Sequence, residues 1–108
     1  MAVLVQRMVE AIAAGVHFFK TNKEESIKIM SKYTRGANRE ILEGAYSAYS
    51  QLFVEDTYPT LEGLRNTLEV QASWDPKAAK AKAEDFVDLR FVDQLRSSRF
   101  VDKLYGRK

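Results

Sequence analysis

The sequence contains no cysteine and only one histidine, His17. Without thiols there is no disulfide, no thiol nucleophile and no thiolate metal site. A lone imidazole, with no second histidine and no suitably spaced carboxylate beside it, forms no recognisable metal centre. His17 therefore reads as a surface or boundary residue. The five glycines are isolated from one another, so no loop is built to cradle a phosphate. Ser26, Ser31, Ser47, Ser50, Ser73, Ser97 and Ser98 include no nucleophile elbow, and any triad would have to reach His17. Charge of one sign is scarce as well. The net charge is +2, too small to argue for a nucleic-acid partner. Long apolar runs are missing, which predicts no membrane insertion. The opening Met1-Ala2-Val3-Leu4-Val5 is cut at once by Gln6-Arg7 and does not read as a secretory signal.

What is present is ordinary for a folded chain. Hydrophobic residues make up 45% and charged residues 30% of 108 positions. That balance predicts one domain over 1–108 with a modest core and argues against disorder. Alternating apolar and polar residues never persist, so no strand is expected.

Helical spacing recurs instead. Val5, Met8, Val9, Ile12, Val16 and Phe19 form a stripe over residues 2–20. Asn22, with Glu25 three residues on, predicts a capping box for a second helix whose buried face is Ile27, Met30 and Tyr33. Gly36 suits a left-handed stop. Asn38 predicts the cap of a third helix reaching about Phe53, with Leu42, Ala45, Tyr46, Tyr49, Leu52 and Phe53 on one side. Pro59 pushes Tyr58 out of helical geometry. Thr60 then caps a fourth helix carrying Leu61, Leu64 and Leu68, in which Gly63 implies close packing. Asp75-Pro76 is another start signal.

The last quarter reads as two very short helices with a polar joint at Arg96-Ser97-Ser98. Asp88 caps the first, which turns Leu89, Val92 and Leu95 inward. Ser98 caps the second, which turns Val101, Leu104 and Tyr105 inward. Arg90-Phe91-Val92-Asp93-Gln94-Leu95 is nearly repeated as Arg99-Phe100-Val101-Asp102-Lys103-Leu104. An offset this short is no solenoid unit. The two copies read as two capped turns solving one packing problem. The fold class expected is all-α, a compact array of about five to six short helices.

The remaining chemistry-bearing groups read as structural. Glu24-Glu25, Glu55-Asp56 and Glu84-Asp85 are adjacent carboxylates that point to different sides of a helix, and the first pair fits a helix N-terminus. Tyr33, Tyr46, Tyr49, Tyr58 and Trp74 could wall an aromatic site, but the spacing of Tyr46 and Tyr49 fits core positions. Lys77, Lys80 and Lys82, with alanines between them, read as a solvated face. No catalytic, metal or cofactor residue is expected, and no ligand-binding residue can be assigned.

Four ordered blocks carry a family resemblance. They are Gly15-Val16-His17-Phe18-Phe19-Lys20-Thr21-Asn22-Lys23-Glu24-Glu25, then Glu43-Gly44-Ala45-Tyr46-Ser47-Ala48-Tyr49, then Tyr58-Pro59-Thr60-Leu61-Glu62-Gly63-Leu64, and last Glu84-Asp85-Phe86-Val87-Asp88 with the Phe100-Val101-Asp102-Lys103-Leu104-Tyr105 ending. Together they resemble the C-terminal part of bacterial ABC-transporter substrate-binding proteins of the nitrate/sulfonate/taurine type. The family often has glycine where Arg99 stands.

The resemblance implies a helical segment that completes one lobe of a two-lobe periplasmic protein. Its partners would be the upstream lobes and, through them, the membrane permease. The solute contacts would lie upstream, so the resemblance transfers no ligand residue. The chain would then be a non-enzymatic buttress with its export signal elsewhere. A second expectation is a self-standing helical interaction module. Isolated, such a chain would form homo-oligomers through apolar faces that lack a partner. An enzyme with buried carboxylates is the weakest reading.

Overall fold

A computed structural model describes residues 1–107. Among these residues it contains seven α-helices and no strand, the all-helical class that the periodicity predicts. The helices are α1 (Ala2–Thr21), α2 (Lys23–Tyr33), α3 (Arg39–Leu52), α4 (Leu61–Ala72), α5 (Pro76–Lys80), α6 (Arg90–Ser97) and α7 (Phe100–Leu104), with a 3₁₀ turn at Ala83–Phe86. The chain divides into two compact units. One comprises Met1–Thr57 with Phe91–Lys108, and the other Tyr58–Arg90.

The larger unit has two apolar clusters. Ala13, Leu95 and Val101 are buried together, with Val9, Phe100 and Tyr105 packed around them. This cluster seats α1 on α7. Ile27, Leu42 and Tyr46 form the second, flanked by Phe19, Met30 and Ala37, and join α2 to α3. The Tyr46 hydroxyl donates to the Phe19 carbonyl at 2.8 Å. That bond satisfies an oxygen in the last turn of α1, where helical carbonyls run out of partners.

Local signals placed most helix starts correctly. Asn38 accepts from the Glu40 N–H at 2.7 Å. Thr60 Oγ1 accepts from the Gly63 N–H at 3.1 Å, Asp75 from Lys77 at 3.0 Å and Asp88 from Arg90 at 3.1 Å. Pro76 opens α5, where a missing N–H costs nothing. The close packing expected at Gly63 comes from its own cap: a Cβ there would lie 2.7 Å from Thr60 Oγ1.

Several details depart from expectation. Asn22 builds no capping box. Its side-chain amide instead donates back to the Phe18 carbonyl at 3.1 Å and to Thr21 Oγ1 at 3.0 Å, closing α1 rather than opening α2. Ser98 does not cap α7, because its hydroxyl donates to the Leu95 carbonyl. The cap position falls one residue later, on Arg99, which is left-handed at φ 59°. Glycine enters that region freely and arginine at some cost. Tyr33, the last residue of α2, is exposed rather than buried.

The stripe expected to bury α1 holds only in part: Val9 and Phe19 pack against the two clusters, and Val5 and Val16 are half-buried. Met8 and Ile12 face solvent, and the buried residues of the helix are Gln6 and Ala13. At the contact with α7 a small side chain lets the helices approach, so Ala13 takes the core position instead of a larger neighbour.

Candidate functional site

Six charged groups in the larger unit surround a cleft of about 440 Å³. Its walls come from the connector after α3, with Val54, Glu55 and Asp56, and from the chain's last residues, with Arg96, Arg99, Asp102 and Arg107. Leu95 and Val101 form its floor. The connector is turned by Thr57, which is left-handed at φ 55° although β-branched. Its N–H closes a tight turn on the Val54 carbonyl at 3.0 Å. This turn presents the two carboxylates side by side.

Each carboxylate meets an arginine. Arg107 grips Glu55 through both terminal nitrogens, at 2.8 and 3.0 Å, the fork geometry that guanidinium groups favour. Arg96 Nε donates to Asp56 at 2.7 Å. Arg99 reaches Asp102 at 3.3 Å. The hydrogen bond from Arg107 holds the Glu55 carboxyl below its ordinary value. The Arg107 guanidinium also lies 4.7 Å from the centre of the Tyr105 ring, and that ring meets His17 edge-on at 4.5 Å. Burial, assisted by Glu55, pushes the Tyr105 phenol above its ordinary value, and its oxygen is buried with no hydrogen-bond partner.

The chemistry of this arrangement is mechanical. Arginine cations and acids neutralise one another, so the cleft offers no unopposed charge to an ionic ligand. The pairs fasten the 54–57 connector to the C-terminal residues. Glu55 and Arg107 are half-exposed, which limits what their pair contributes to stability.

The other candidates do not converge. Glu24 pairs with Arg39 at 2.8 Å and Glu25 with Lys28 at 3.5 Å, both across exposed helix surface. Glu84 pairs with Arg65 at 2.7 Å inside the smaller unit. Ser50, Ser73, Ser97 and Ser98 return their hydroxyls to nearby carbonyls, and buried Ser26 reaches the Phe19 carbonyl. Tyr46 is a core residue, as its spacing suggests, whereas Tyr49, expected in the core on the same spacing, is exposed and stacks on the also exposed Phe53; Tyr33 and Trp74 are exposed as well. Lys77, Lys80 and Lys82 form a solvated face. No group of acidic and histidine side chains able to hold a metal exists among the described residues.

Two features escaped sequence reading. Gln6 is buried inside an apolar helix and donates to the Phe91 carbonyl at 3.1 Å. Its amide oxygen has no partner. Helix α1 is also long and apolar enough, by length and composition, to cross a membrane, although no single apolar run predicts it. A glutamine that breaks an apolar run was the available signal for the first. A window wider than one run was the signal for the second.

Comparison of the chain with protein-family models, with curated proteins and with solved structures gives no match.

Proposed function

We propose that the chain is the C-terminal helical segment of an extracytoplasmic solute-binding protein of the nitrate/sulfonate/taurine type, serving an ABC importer. In that role it buttresses one lobe, takes no part in catalysis and holds no solute itself. The observation that carries this reading is the order of the four sequence blocks, spread over nearly the whole chain. The left-handed backbone at Arg99 agrees with it, since the family often places glycine there. So does the apolar outer face of α1, which a lobe would cover.

The test is the DNA upstream of the Met1 codon, together with the intact mass of the native protein. An open frame running upstream into an exported two-lobe protein supports the reading. A native protein of 108 residues whose frame opens at Met1 removes it.

A second reading, a helical module that works by association, is favoured by the same exposed face of α1. Leu4, Met8 and Ile12 all lie on it.

A further inference from the structure

The outer face of α1 has a more specific pattern than general apolarity. Counted in sevens from Met1, the first position holds Met1, Met8 and Gly15, and the fourth holds Leu4, Ala11 and Phe18. The fifth holds Val5, Ile12 and Phe19. None of these nine residues is polar or charged. A helix that keeps such a repeat presents a seam for another helix. The seam is open: Leu4 is 65% exposed, Met8 59%, Ile12 52% and Phe18 42%. A Cβ added at Gly15 would meet nothing within 4 Å. The fully buried residues of the helix, Gln6 and Ala13, lie on the opposite side, and Phe19 at the end of the seam packs against the cluster of Ile27, Leu42 and Tyr46.

The sizes along the seam choose the partner. Its first half is large, with Met1, Leu4 and Met8, and its second half begins small, with Ala11 and Gly15. A parallel copy would set Ala11 against Ala11 and Gly15 against Gly15, leaving a hole. An antiparallel copy sets Leu4 against Gly15 of the second copy, Met8 against Ala11, and Met1 against Phe18. Large then meets small at the two central pairs, as a close-packed seam requires.

The flanks tolerate this register. In antiparallel pairs the fifth positions face one another, bringing Val5 and Ile12 of the two copies together. Arg7 falls beside Ala14 of the second copy, so no like charges meet. The patch continues past Phe19, whose ring lies 5.5 Å from Phe53, itself stacked on Tyr49 at 5.7 Å. The open apolar area is on the order of 600 Å² per copy, so a pair would bury about 1,200 Å², the lower end for specific interfaces.

We propose that the outer face of α1 is the docking surface for a second copy of this chain, paired antiparallel with Leu4 over Gly15. The inference deepens the association reading above by naming the partner and the register, and it does not depend on the transport reading.

The test uses the full chain, which has no native cysteine. Sedimentation equilibrium should show a dimer. Met8→Glu should raise its dissociation constant at least a hundredfold while leaving helicity unchanged, since Met8 touches solvent and not the core. A mixture of Leu4→Cys and Gly15→Cys chains should oxidise to a heterodimer. Leu4→Cys alone should not cross-link, because its two thiols would sit about 16 Å apart along the axis.

Cross-linking of Leu4→Cys with itself, or a dimer indifferent to Met8→Glu, overturns the register and face but leaves the association reading standing. A chain that is monomeric at millimolar concentration overturns both. A monomer that instead partitions onto phosphatidylcholine vesicles assigns the face to lipid and also overturns the pairing.

Discussion

The two units are both helical, yet different forces hold them. The larger unit buries Leu95 completely and adds Ile27, Leu42, Tyr46, Val92 and Val101. The smaller one, Tyr58–Arg90, buries only Ala78 and Ala83. Between α4 and α5 it keeps an alanine-lined cleft of about 450 Å³, edged by Arg65 and Glu84. Leu64 and Leu68 are only half-buried there. Apolar burial stabilises at roughly 25 cal/mol per Å², so two alanines supply little. The smaller unit depends more on the Thr60 and Asp75 caps, since the Arg65–Glu84 pair is exposed and contributes little. The contrast teaches that similar helix signals in the sequence can end in units of different internal strength.

The sharpest way to break the contrast is to hollow out the stronger unit. Leu95→Ala should cost about 2–5 kcal/mol, because it leaves a cavity where α6 and α7 meet α1. Urea unfolding followed by circular dichroism measures this. A cost below 1 kcal/mol would show that the cluster around Leu95 is not a core. Without any substitution, backbone amides of α4 and α5 should exchange with deuterium faster than those of α2 and α3, since they lie under fewer buried side chains. Equal protection in the two regions would erase the distinction.

In the smaller unit the caps should dominate. Thr60→Ala should cost about 1 kcal/mol. Gly63→Ala should fail to deliver the gain of about 1 kcal/mol that helix propensity promises. The new methyl would displace the Thr60 hydroxyl, which lies 2.7 Å from its position. With Thr60 already alanine, the same Gly63→Ala change should become stabilising. A double-mutant cycle by thermal melting tests this reversal, and simple additivity would refute it.

A smaller effect is expected at the joint between α6 and α7. Arg99→Gly relieves a left-handed arginine but frees the unfolded chain and removes the contact to Asp102. The net change should be a gain of a few tenths of a kcal/mol. A loss of more than 1 kcal/mol would mean that the Arg99 side chain matters more than its backbone.

These details mark what the sequence could disclose. Asn38, Thr60, Asp75-Pro76 and Asp88 were legible because a cap is decided within three or four residues. Asn22 misled because it stands between two helices and can serve either. The repeated hexapeptide was legible as packing: Val92 and Val101 are both buried, at matching positions of the two copies. The orientation of α1 was legible only in part, since Val9 and Phe19 of the expected stripe pack against the clusters while Met8 and Ile12 do not. Periodicity finds the most apolar row of a helix, whereas the core of this unit selected the row with Ala13, where α7 approaches closely. The Glu55–Arg107 and Asp56–Arg96 pairs were out of reach too, because they join residues 52 and 40 positions apart.

Acid should have the smallest effect on the contrast. Hydrogen bonds from Arg39 and Arg107 hold Glu24 and Glu55 below the ordinary 4.5 in the larger unit. Glu84 in the smaller unit is also lowered, by its own backbone N–H and then by Arg65. A depressed carboxylate stabilises the fold above its unfolded value, and that contribution is lost as pH falls through the folded value. Stability should therefore be flat near neutrality and decline only below about pH 4.5, the ordinary value of these groups. The decline should be slight, because the groups are exposed and screened. A steep loss between pH 7 and 5 in thermal melts would point to another titrating group.

Both functional readings share one claim: the outer row of α1 is covered in the working protein, by a lobe of the same chain or by a second copy. Oxidative footprinting of Met8 in native material at working concentration tests it most directly, since sulfoxide formation follows exposure. Met8 should oxidise at least tenfold more slowly than free methionine. A Met8 as reactive as its 59% exposure in the lone chain allows would contradict the account.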